Sequence, residues 1–218
     1  MNPKTLKHLP IFRMVHVDNL EFLIRNGLWA ELSKTQDPAF KSIGNPSVIA
    51  RRTYKEVGIN PPGGVLGEFI PFYFAGHSPM LLNIATGHSV PLIPQRNIIF
   101  LVCDAIELIN DGLAWCYTDG NAASSITSFY NTLFNIDTLD WNTIKSTFWS
   151  NSEDDMDRMR KKASEFLVRE HIETRYIKRI IVRNGFAAEK VKAILENNEC
   201  DIPVTVDAKN DYYYNSLP

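Results

Sequence analysis

The chain carries at its centre the stretch Arg160-Lys161-Lys162-Ala163-Ser164-Glu165-Phe166-Leu167-Val168, a basic segment that leads through one acid into an apolar triplet. Met156 and Met159, with the cations that follow them, predict a short helix that ends near Ala163. The apolar triplet reads as a buried strand that begins at Glu165. Because such a strand carries its first residue on a stiff backbone, and neighbouring cations keep an acid ionised, Glu165 is the candidate catalytic residue.

A simpler interpretation of Glu165 is available from the spacing. It follows Lys161 by four residues, and the two can form an ordinary ion pair on one helix face. We treat Glu165 as an exposed acid, for which replacement by alanine changes the free energy of unfolding by less than ~0.5 kcal/mol. A Glu165→Ala variant is therefore expected to fold, and its activity separates the two interpretations.

Length and composition describe an ordinary globular protein. The chain has 218 residues, of which 44% are hydrophobic, 22% charged and 11% aromatic, and we expect one domain over residues 1–218. The three cysteines, at positions 103, 116 and 200, fit neither a zinc site nor a disulfide framework, so no metal is predicted. Because no apolar stretch suits a signal peptide or a membrane span, we expect a cytoplasmic protein without a membrane partner.

Charge is distributed unevenly along the chain. The net charge is −2, which argues against a protein that coats DNA without specificity. Residues 97–143 contain no lysine or arginine, whereas residues 158–192 contain eleven cations and four acids. This pattern predicts a basic face that attracts a phosphate backbone, and a solvated face without a partner is the alternative.

The predicted elements alternate without regular βαβ spacing, which indicates an α+β domain with a mostly antiparallel sheet. No glycine-rich dinucleotide or phosphate loop is present, which excludes Rossmann and P-loop enzymes. The polar segment 33–62 is predicted to be a long functional loop. Strands are predicted at 11–15, 65–75, 98–102, 113–117, 166–168, 178–182, 202–206 and 211–214. Helices are predicted at 18–27, from 79 onward, and at 104–110, 124–134, 140–149, 158–163 and 187–196.

Several motifs resemble the DarT family of bacterial toxins, which are NAD-dependent enzymes that ADP-ribosylate bases of single-stranded DNA. The resemblance runs in matching order from Phe12 to Tyr214. Its motifs are Phe12-Arg13-Met14-Val15-His16-Val17-Asp18-Asn19-Leu20, Ile43-Gly44-Asn45-Pro46 with Arg51-Arg52, Pro71-Phe72-Tyr73-Phe74 with Ser78-Pro79-Met80, and the stretch quoted first.

The resemblance implies an α+β ADP-ribosyltransferase fold, in which two mostly antiparallel sheets with flanking helices surround a cleft for NAD. It implies that Glu165 and Arg52 are catalytic, with Arg51 as the alternative arginine. The residues implied to bind NAD, the co-substrate, are Arg13, Met14, Val15, His16, Phe22, Ala30 and Arg52.

The resemblance also implies contacts with single-stranded DNA, which the cations between Arg158 and Arg183 are expected to support. The residues implied to contact DNA are His77, Ser78, Pro79, Met80, Asn121 and Trp149. The family often has histidine where this chain has Asn121, and the interpretation favours thymidine over guanosine as the modified base. It implies an antitoxin partner with an ADP-ribosyl hydrolase, either of the macrodomain type or a guanosine-specific equivalent.

Two alternatives to DNA modification remain at this stage. The same fold can use RNA or protein as the acceptor, which labelled NAD with each polymer in turn would distinguish. The chain can also be a non-catalytic α+β binding module, in which Glu165, Arg52 and Arg13 are unrelated surface residues. Failure to bind or consume NAD would favour the binding module.

Overall fold

A computed structural model of the chain describes residues 6–215 and 217. The strands are β1 Pro10–His16, β2 Leu28–Trp29, β3 Phe69–Tyr73, β4 Ile98–Asp104, β5 Trp115–Thr118, β6 Phe129–Tyr130, β7 Glu165–Arg169, β8 His171–Ile172, β9 Arg179–Val182 and β10 Val204–Val206. The α-helices are α1 Leu20–Asn26, α2 Pro46–Arg52, α3 Pro79–Thr86, α4 Ala105–Asn110, α5 Trp141–Lys145, α6 Arg158–Lys162 and α7 Gly185–Asn197. Among the described residues, no helix is long and apolar enough to cross a membrane.

The strands form one eight-stranded sheet and a small two-stranded ribbon. The large sheet has the order β10-β9-β4-β1-β3-β7-β5-β6, and β2 pairs with β8 in the ribbon. Strands β9 and β10 run parallel, whereas the other neighbouring pairs run antiparallel. This arrangement confirms the predicted α+β class with a mostly antiparallel sheet.

The large sheet is divided by a seam between β1 and β3. Strand β1 pairs with β4 at seven positions, from Pro10 to His16, but with β3 at the single pair Phe12–Tyr73. Strand β3 instead pairs with β7 along its whole length. The sheet therefore consists of two halves that separate beyond the Phe12–Tyr73 pair. These two halves correspond to the two sheets that were expected to surround a cleft.

Both faces of β1 are covered, because its side chains alternate between two cores. Ile11 and Val15 pack in the larger core with residues of α1 and α7. Phe12 and Met14 pack in a second core with residues of α3. The alternation follows from the two-residue period of a strand, and it fixes α3 on one side of the sheet and the α1–α7 pair on the other.

Local sequence signals predicted several elements correctly, including β1, α4, α6 and the start of β7. Helix α3 begins as expected, with Pro79 in its first turn and the Ser78 hydroxyl accepting a hydrogen bond from the Leu81 N–H at 3.1 Å. The helix predicted from residue 18 begins at Leu20 instead. A 3-10 turn at Val17–Asn19 precedes α1, and Asp18 pairs with two lysines.

Three other predictions of secondary structure were wrong. Residues 124–134, predicted as a helix, contain β6, which pairs with β5 at the sheet edge. The predicted helix at 140–149 ends early, at Lys145. The predicted loop 33–62 contains α2, which Asn45 caps by accepting hydrogen bonds from the N–H groups of Ser47 and Val48.

The predicted last strand, 211–214, is a compact turn instead. The Asp207 carboxylate accepts hydrogen bonds from the backbone N–H groups of Asp211, Tyr212 and Tyr213 at 2.8 to 3.0 Å. These bonds fold the backbone around one carboxylate, so its N–H groups are not available to a neighbouring strand. We call residues 207–214 the C-terminal turn.

Candidate active site

Glu165 occupies the first position of β7, as predicted, and its backbone is held on both sides. It lies opposite Tyr73 of β3, and its N–H donates to the Thr118 hydroxyl of β5 at 3.0 Å. The assumption that Glu165 is exposed was wrong, because only 3% of the residue is accessible to solvent. A carboxylate that is buried in this way requires partners.

The partners of the Glu165 carboxylate are a guanidinium and a backbone amide. Arg52 Nη1 lies 3.0 Å from Oε2 and 3.3 Å from Oε1, and the Ala122 N–H donates to Oε1 at 2.8 Å. The alternative pair with Lys161 is wrong, because the Lys161 ammonium lies 3.1 Å from Asp155. Since burying an ion pair costs desolvation energy and gives little net stability, the Arg52–Glu165 pair points to function.

The position of Arg52 follows from α2. Asn45 and Pro46 begin this helix, and both Arg51 and Arg52 lie in its last turn. Neighbouring helix residues point in different directions, and here Arg51 is exposed while the Arg52 side chain is 14% exposed and contacts Glu165. The structure therefore brings Arg52, and not Arg51, to the carboxylate.

Arg13 and Tyr73 add charge and polarity at the seam. Arg13 donates to the Pro71 carbonyl at 3.0 Å, where β1 and β3 have separated. Burial, and secondarily the Arg52 cation, lowers the pKa of Arg13 to about 10, so it remains a cation at neutral pH. Burial, and secondarily the Glu165 carboxylate, raises the pKa of Tyr73, whose hydroxyl stays protonated.

A cavity of about 650 Å³ lies along the seam and contains the Arg52–Glu165 pair. Its volume suits a small-molecule ligand. Of the residues predicted to bind NAD, six line it: Arg13, Met14, Val15, Phe22, Ala30 and Arg52. His16 is not among the lining residues. It is 8% exposed, and its Nδ1 accepts a hydrogen bond from the Asp18 N–H at 3.1 Å, so it fixes the turn before α1.

One wall of the cavity is a loop that is anchored at Lys41. The Asn19 side chain donates to the Lys41 carbonyl at 3.0 Å and accepts from the Lys41 N–H at 2.8 Å. The Lys41 ammonium also pairs with Asp18 at 2.6 Å. Asn19 is 1% exposed. Its buried amide therefore holds the loop, whose next residues, 42–45, line the cavity.

The residues predicted to contact DNA divide into two groups. Pro79, Met80 and Asn121 line the cavity. His77, Ser78 and Trp149 are buried, with exposures of 6%, 1% and 6%. The second group offers little side-chain surface for direct contact, and its role in DNA binding stays a prediction.

The buried group supports the start of α3 through the C-terminal turn. Trp149 Nε1 donates to the Tyr214 hydroxyl at 2.9 Å, and that hydroxyl donates to the His77 carbonyl at 2.8 Å. The His77 N–H donates to the Tyr212 carbonyl at 2.9 Å. These bonds position Pro79 and Met80 at the cavity wall.

Most cations of the basic segment have acidic partners. Arg160 pairs with Asp157 and Asp119, each at 2.7 Å. Lys162 is 3% exposed and donates to two backbone carbonyls, and burial lowers its pKa to about 8. Arg169, Lys178 and other cations of the segment also have acidic partners. Arg158, Arg179 and Arg183 donate to neutral oxygen atoms instead, and the phosphate-binding surface stays a prediction.

Three residues of the site were missed in the sequence. Tyr73 lines the cavity while Phe72 and Phe74 are core residues, an alternation that the two-residue strand period could have shown. Ala122 contributes through its backbone N–H and Thr118 through a hydroxyl that supports the β7 backbone. Neither Ala122 nor Thr118 lies in a sequence pattern that marks it as a residue of the site.

The sequence of this chain is similar to one family of known proteins. The family model described as "DarT: ssDNA thymidine ADP-ribosyltransferase, DarT" matches residues 12–214. The DNA ADP-ribosyl transferase of Thermus sp. strain 2.9 is 32% identical over 205 residues, which cover 94% of this chain and 96% of that protein. A fusion of DNA ADP-ribosyl transferase and DNA ADP-ribosyl glycohydrolase from Thermosipho africanus is 29% identical, over 90% of this chain and 48% of the fusion.

Solved structures give the same result. The Thermus sp. 2.9 DarT in complex with ADP-ribosylated single-stranded DNA has a TM-score of 0.86 at 30% identity, over 98% of this chain and 99% of that chain. The same protein in complex with NAD+ has a TM-score of 0.81 at 30% identity, over 98% and 100% of the two chains. This chain therefore belongs to the DarT family of DNA ADP-ribosyltransferases.

Proposed function

We propose that this protein transfers ADP-ribose from NAD+ to a base of single-stranded DNA, with thymidine as the modified nucleoside, and acts as a bacterial toxin. The observation that carries the proposal is the buried Arg52–Glu165 pair in a cavity of about 650 Å³. The relatives named for DNA ADP-ribosyl transfer, one of them described with NAD+, support the co-substrate and the acceptor.

Glu165 is proposed to stabilise the reacting ribose. When the bond between nicotinamide and ribose breaks, its electron pair leaves with the nicotinamide and positive charge develops on the ribose, next to the carboxylate. A base atom then bonds to the ribose carbon and releases its proton to water. Because the Ala122 N–H and Arg52 hold the carboxylate oxygens, Glu165 needs no rearrangement to meet this charge.

Arg52 is proposed to orient the substrates electrostatically. Its Nη2 is buried and has no hydrogen-bond partner among residues 6–215 and 217. An unpaired buried donor is costly, and a phosphate or carbonyl oxygen of a ligand would satisfy it. A guanidinium donates hydrogen bonds and has no acceptor atom, so proton abstraction is not assigned to Arg52.

Arg13, Met14, Val15, Phe22 and Ala30 are proposed to contact NAD+, and Pro79, Met80 and Asn121 the DNA, because each lines the cavity. We further propose a separate partner protein that removes the ADP-ribose and serves as the antitoxin. The fused glycohydrolase of the Thermosipho africanus relative supports such a partner.

Labelled NAD+ offered with different polymers tests the acceptor. We expect label on single-stranded DNA and at least about tenfold less on the matching duplex, because extruding a paired base costs a few kcal/mol. The thymidine assignment predicts no label on an oligomer that lacks thymidine. Labelling of RNA or protein instead of DNA would overturn the acceptor, and absence of nicotinamide release with every polymer would overturn the proposed activity.

Asn19→Asp tests the role of the anchored loop in NAD+ binding. The aspartate still accepts from the Lys41 N–H but places a second oxygen against the Lys41 carbonyl, where Asn19 donates. We expect KM for NAD+ to rise about tenfold, since one hydrogen bond is replaced by repulsion, while kcat changes less than threefold. The matched control is Asn110→Asp at the exposed end of α4, whose KM should match wild type. A lower kcat together with an unchanged KM for NAD+ in Asn19→Asp would contradict this role.

A further inference from the structure

One part of the cavity wall is a segment that forms neither helix nor strand. Residues 146–157 connect α5 to α6, and we call them the connecting segment. Asn151 and Met156 of this segment line the cavity. Trp149, in the same segment, supports the start of α3 through the Tyr214 hydroxyl. The shape of the cavity on this side therefore depends on how neighbouring elements hold the connecting segment.

Helix α6 holds the connecting segment at several points. Arg158 Nη2 donates to the Phe148 carbonyl at 2.8 Å. The Met159 N–H donates to Asn151 Oδ1 at 2.8 Å. These two bonds reach the middle of the segment, whereas its first residue is held by Lys162 at the end of α6.

The Lys162 contact differs from the others because it is buried. The ammonium donates to the Ile144 carbonyl at 2.6 Å and to the Ser146 carbonyl at 2.8 Å, where α5 ends and the connecting segment begins. Only 3% of Lys162 is exposed, and in the described part of the chain it pairs with no acid. Carbonyl groups at the end of a helix carry partial negative charge, which favours a cation at this position.

The place of Lys162 in the chain links the connecting segment to the catalytic carboxylate. Lys162 ends α6, and Glu165 begins β7 shortly afterwards. One side chain therefore sets the distance between the start of the connecting segment and the strand that carries Glu165. Burial of this ammonium costs desolvation energy and lowers the pKa of Lys162 to about 8. Because an apolar side chain of similar length would avoid this cost, the buried charge points to a role in function.

We propose that Lys162 is a positioning residue that holds the connecting segment against β7 and thereby shapes the side of the cavity that receives DNA. The inference rests on the proposed function, in which Pro79 and Met80 contact DNA. The connecting segment supports both residues through Trp149. The residues proposed to contact NAD+ are carried instead by β1, α1 and the position after β2. Loss of the Lys162 ammonium should therefore impair the use of DNA more than the use of NAD+.

Lys162→Met removes the ammonium and keeps an unbranched side chain. It leaves the Ile144 and Ser146 carbonyls without their buried donor, which releases the start of the connecting segment. We expect KM for a single-stranded oligomer to rise at least about tenfold, while KM for NAD+ stays within about twofold of wild type. Steady-state kinetics with each substrate varied in turn measure both constants.

The matched control is Lys145→Met. Lys145 is the last residue of α5, but its side chain is exposed and its ammonium lies 5.4 Å from the centre of the Trp141 ring. The same charge is lost from the same region without the loss of a buried hydrogen bond, so KM for the oligomer should stay within about threefold of wild type. An equal rise of this KM in Lys145→Met and Lys162→Met would overturn the inference.

Digestion with chymotrypsin shows whether the connecting segment has been released. Phe148 in the segment and Phe186 in α7 are exposed to a similar extent, 72% and 70%. In Lys162→Met, cleavage after Phe148 should become at least about tenfold faster and cleavage after Phe186 should not change, because only the segment opens. Mass spectrometry identifies the two cleavage sites. Equal acceleration at both sites would indicate a general loss of stability and would contradict the positioning role.

An unchanged KM for the oligomer in Lys162→Met overturns the inference, as does an equal rise of both KM values. If Lys162→Met does not fold, Lys162→Gln, which keeps a neutral donor group, must raise KM for the oligomer at least about threefold, and an unchanged value overturns the inference. Failure of wild type to label any DNA contradicts the proposed function instead, so the two failures are distinct.

Discussion

Glu165→Gln is expected to lower the rate of ADP-ribose transfer about a thousandfold. Glutamine has the shape of glutamate and can still accept from the Ala122 N–H, but it carries no charge to stabilise the reacting ribose. Because Glu165 is buried against Arg52, alanine would leave a guanidinium unpaired, so glutamine is the better test than the alanine first considered. Single-turnover transfer to a single-stranded oligomer measures the effect.

The control for this variant is Glu170→Gln. Glu170 is exposed and follows the other end of β7, so its loss of charge should leave the rate within about threefold of wild type, as for most surface substitutions. Circular dichroism should show the same secondary structure in both variants. Wild-type transfer by a folded Glu165→Gln protein would remove the catalytic assignment.

Arg52→Lys is expected to lower kcat/KM at least about a hundredfold. A guanidinium can bind Glu165 through Nη1 and a ligand oxygen through Nη2, whereas a lysine ammonium is a point charge without this planar geometry. The loss of one preorganised donor typically costs about 10²- to 10³-fold in rate. Steady-state kinetics with NAD+ and a single-stranded oligomer provide the measurement.

Arg51→Lys is the matched control, because Arg51 lies in the same helical turn but is exposed. Its kcat/KM should stay within about threefold of wild type. If Arg51→Lys were the impaired variant and Arg52→Lys were not, the assignment of the site arginine would be reversed.

Local signals in the sequence predicted the elements that depend on neighbouring residues. The Ser78-Pro79 helix start and the strand that begins at Glu165 both appear where expected. The family resemblance implied that Glu165 and Arg52 are both catalytic, although 113 residues separate them. No spacing rule links such distant positions, so composition and periodicity alone did not predict their contact.

The sequence did not predict features that depend on long-range pairing. The Asp207 carboxylate binds the N–H groups of the last tyrosines, which therefore form a turn and not a strand. Phe129 and Tyr130, predicted to be helical, pair with β5 as a strand. Some acidic partners of the cations in residues 158–192, such as Asp119 for Arg160, lie far away in sequence, so the local charge pattern did not show these pairs.

The bonds between His77 and the C-terminal turn have a consequence for how the protein is made. His77 is separated by 136 residues from Tyr213 and by 137 from Tyr214, which hold it. Contacts of such long sequence separation form late, and a ribosome adds roughly 5–20 residues per second. The cavity wall at Pro79 and Met80 therefore lacks its support for several seconds after those residues have been synthesised. A nascent chain that has not yet reached the tyrosines cannot have a complete site.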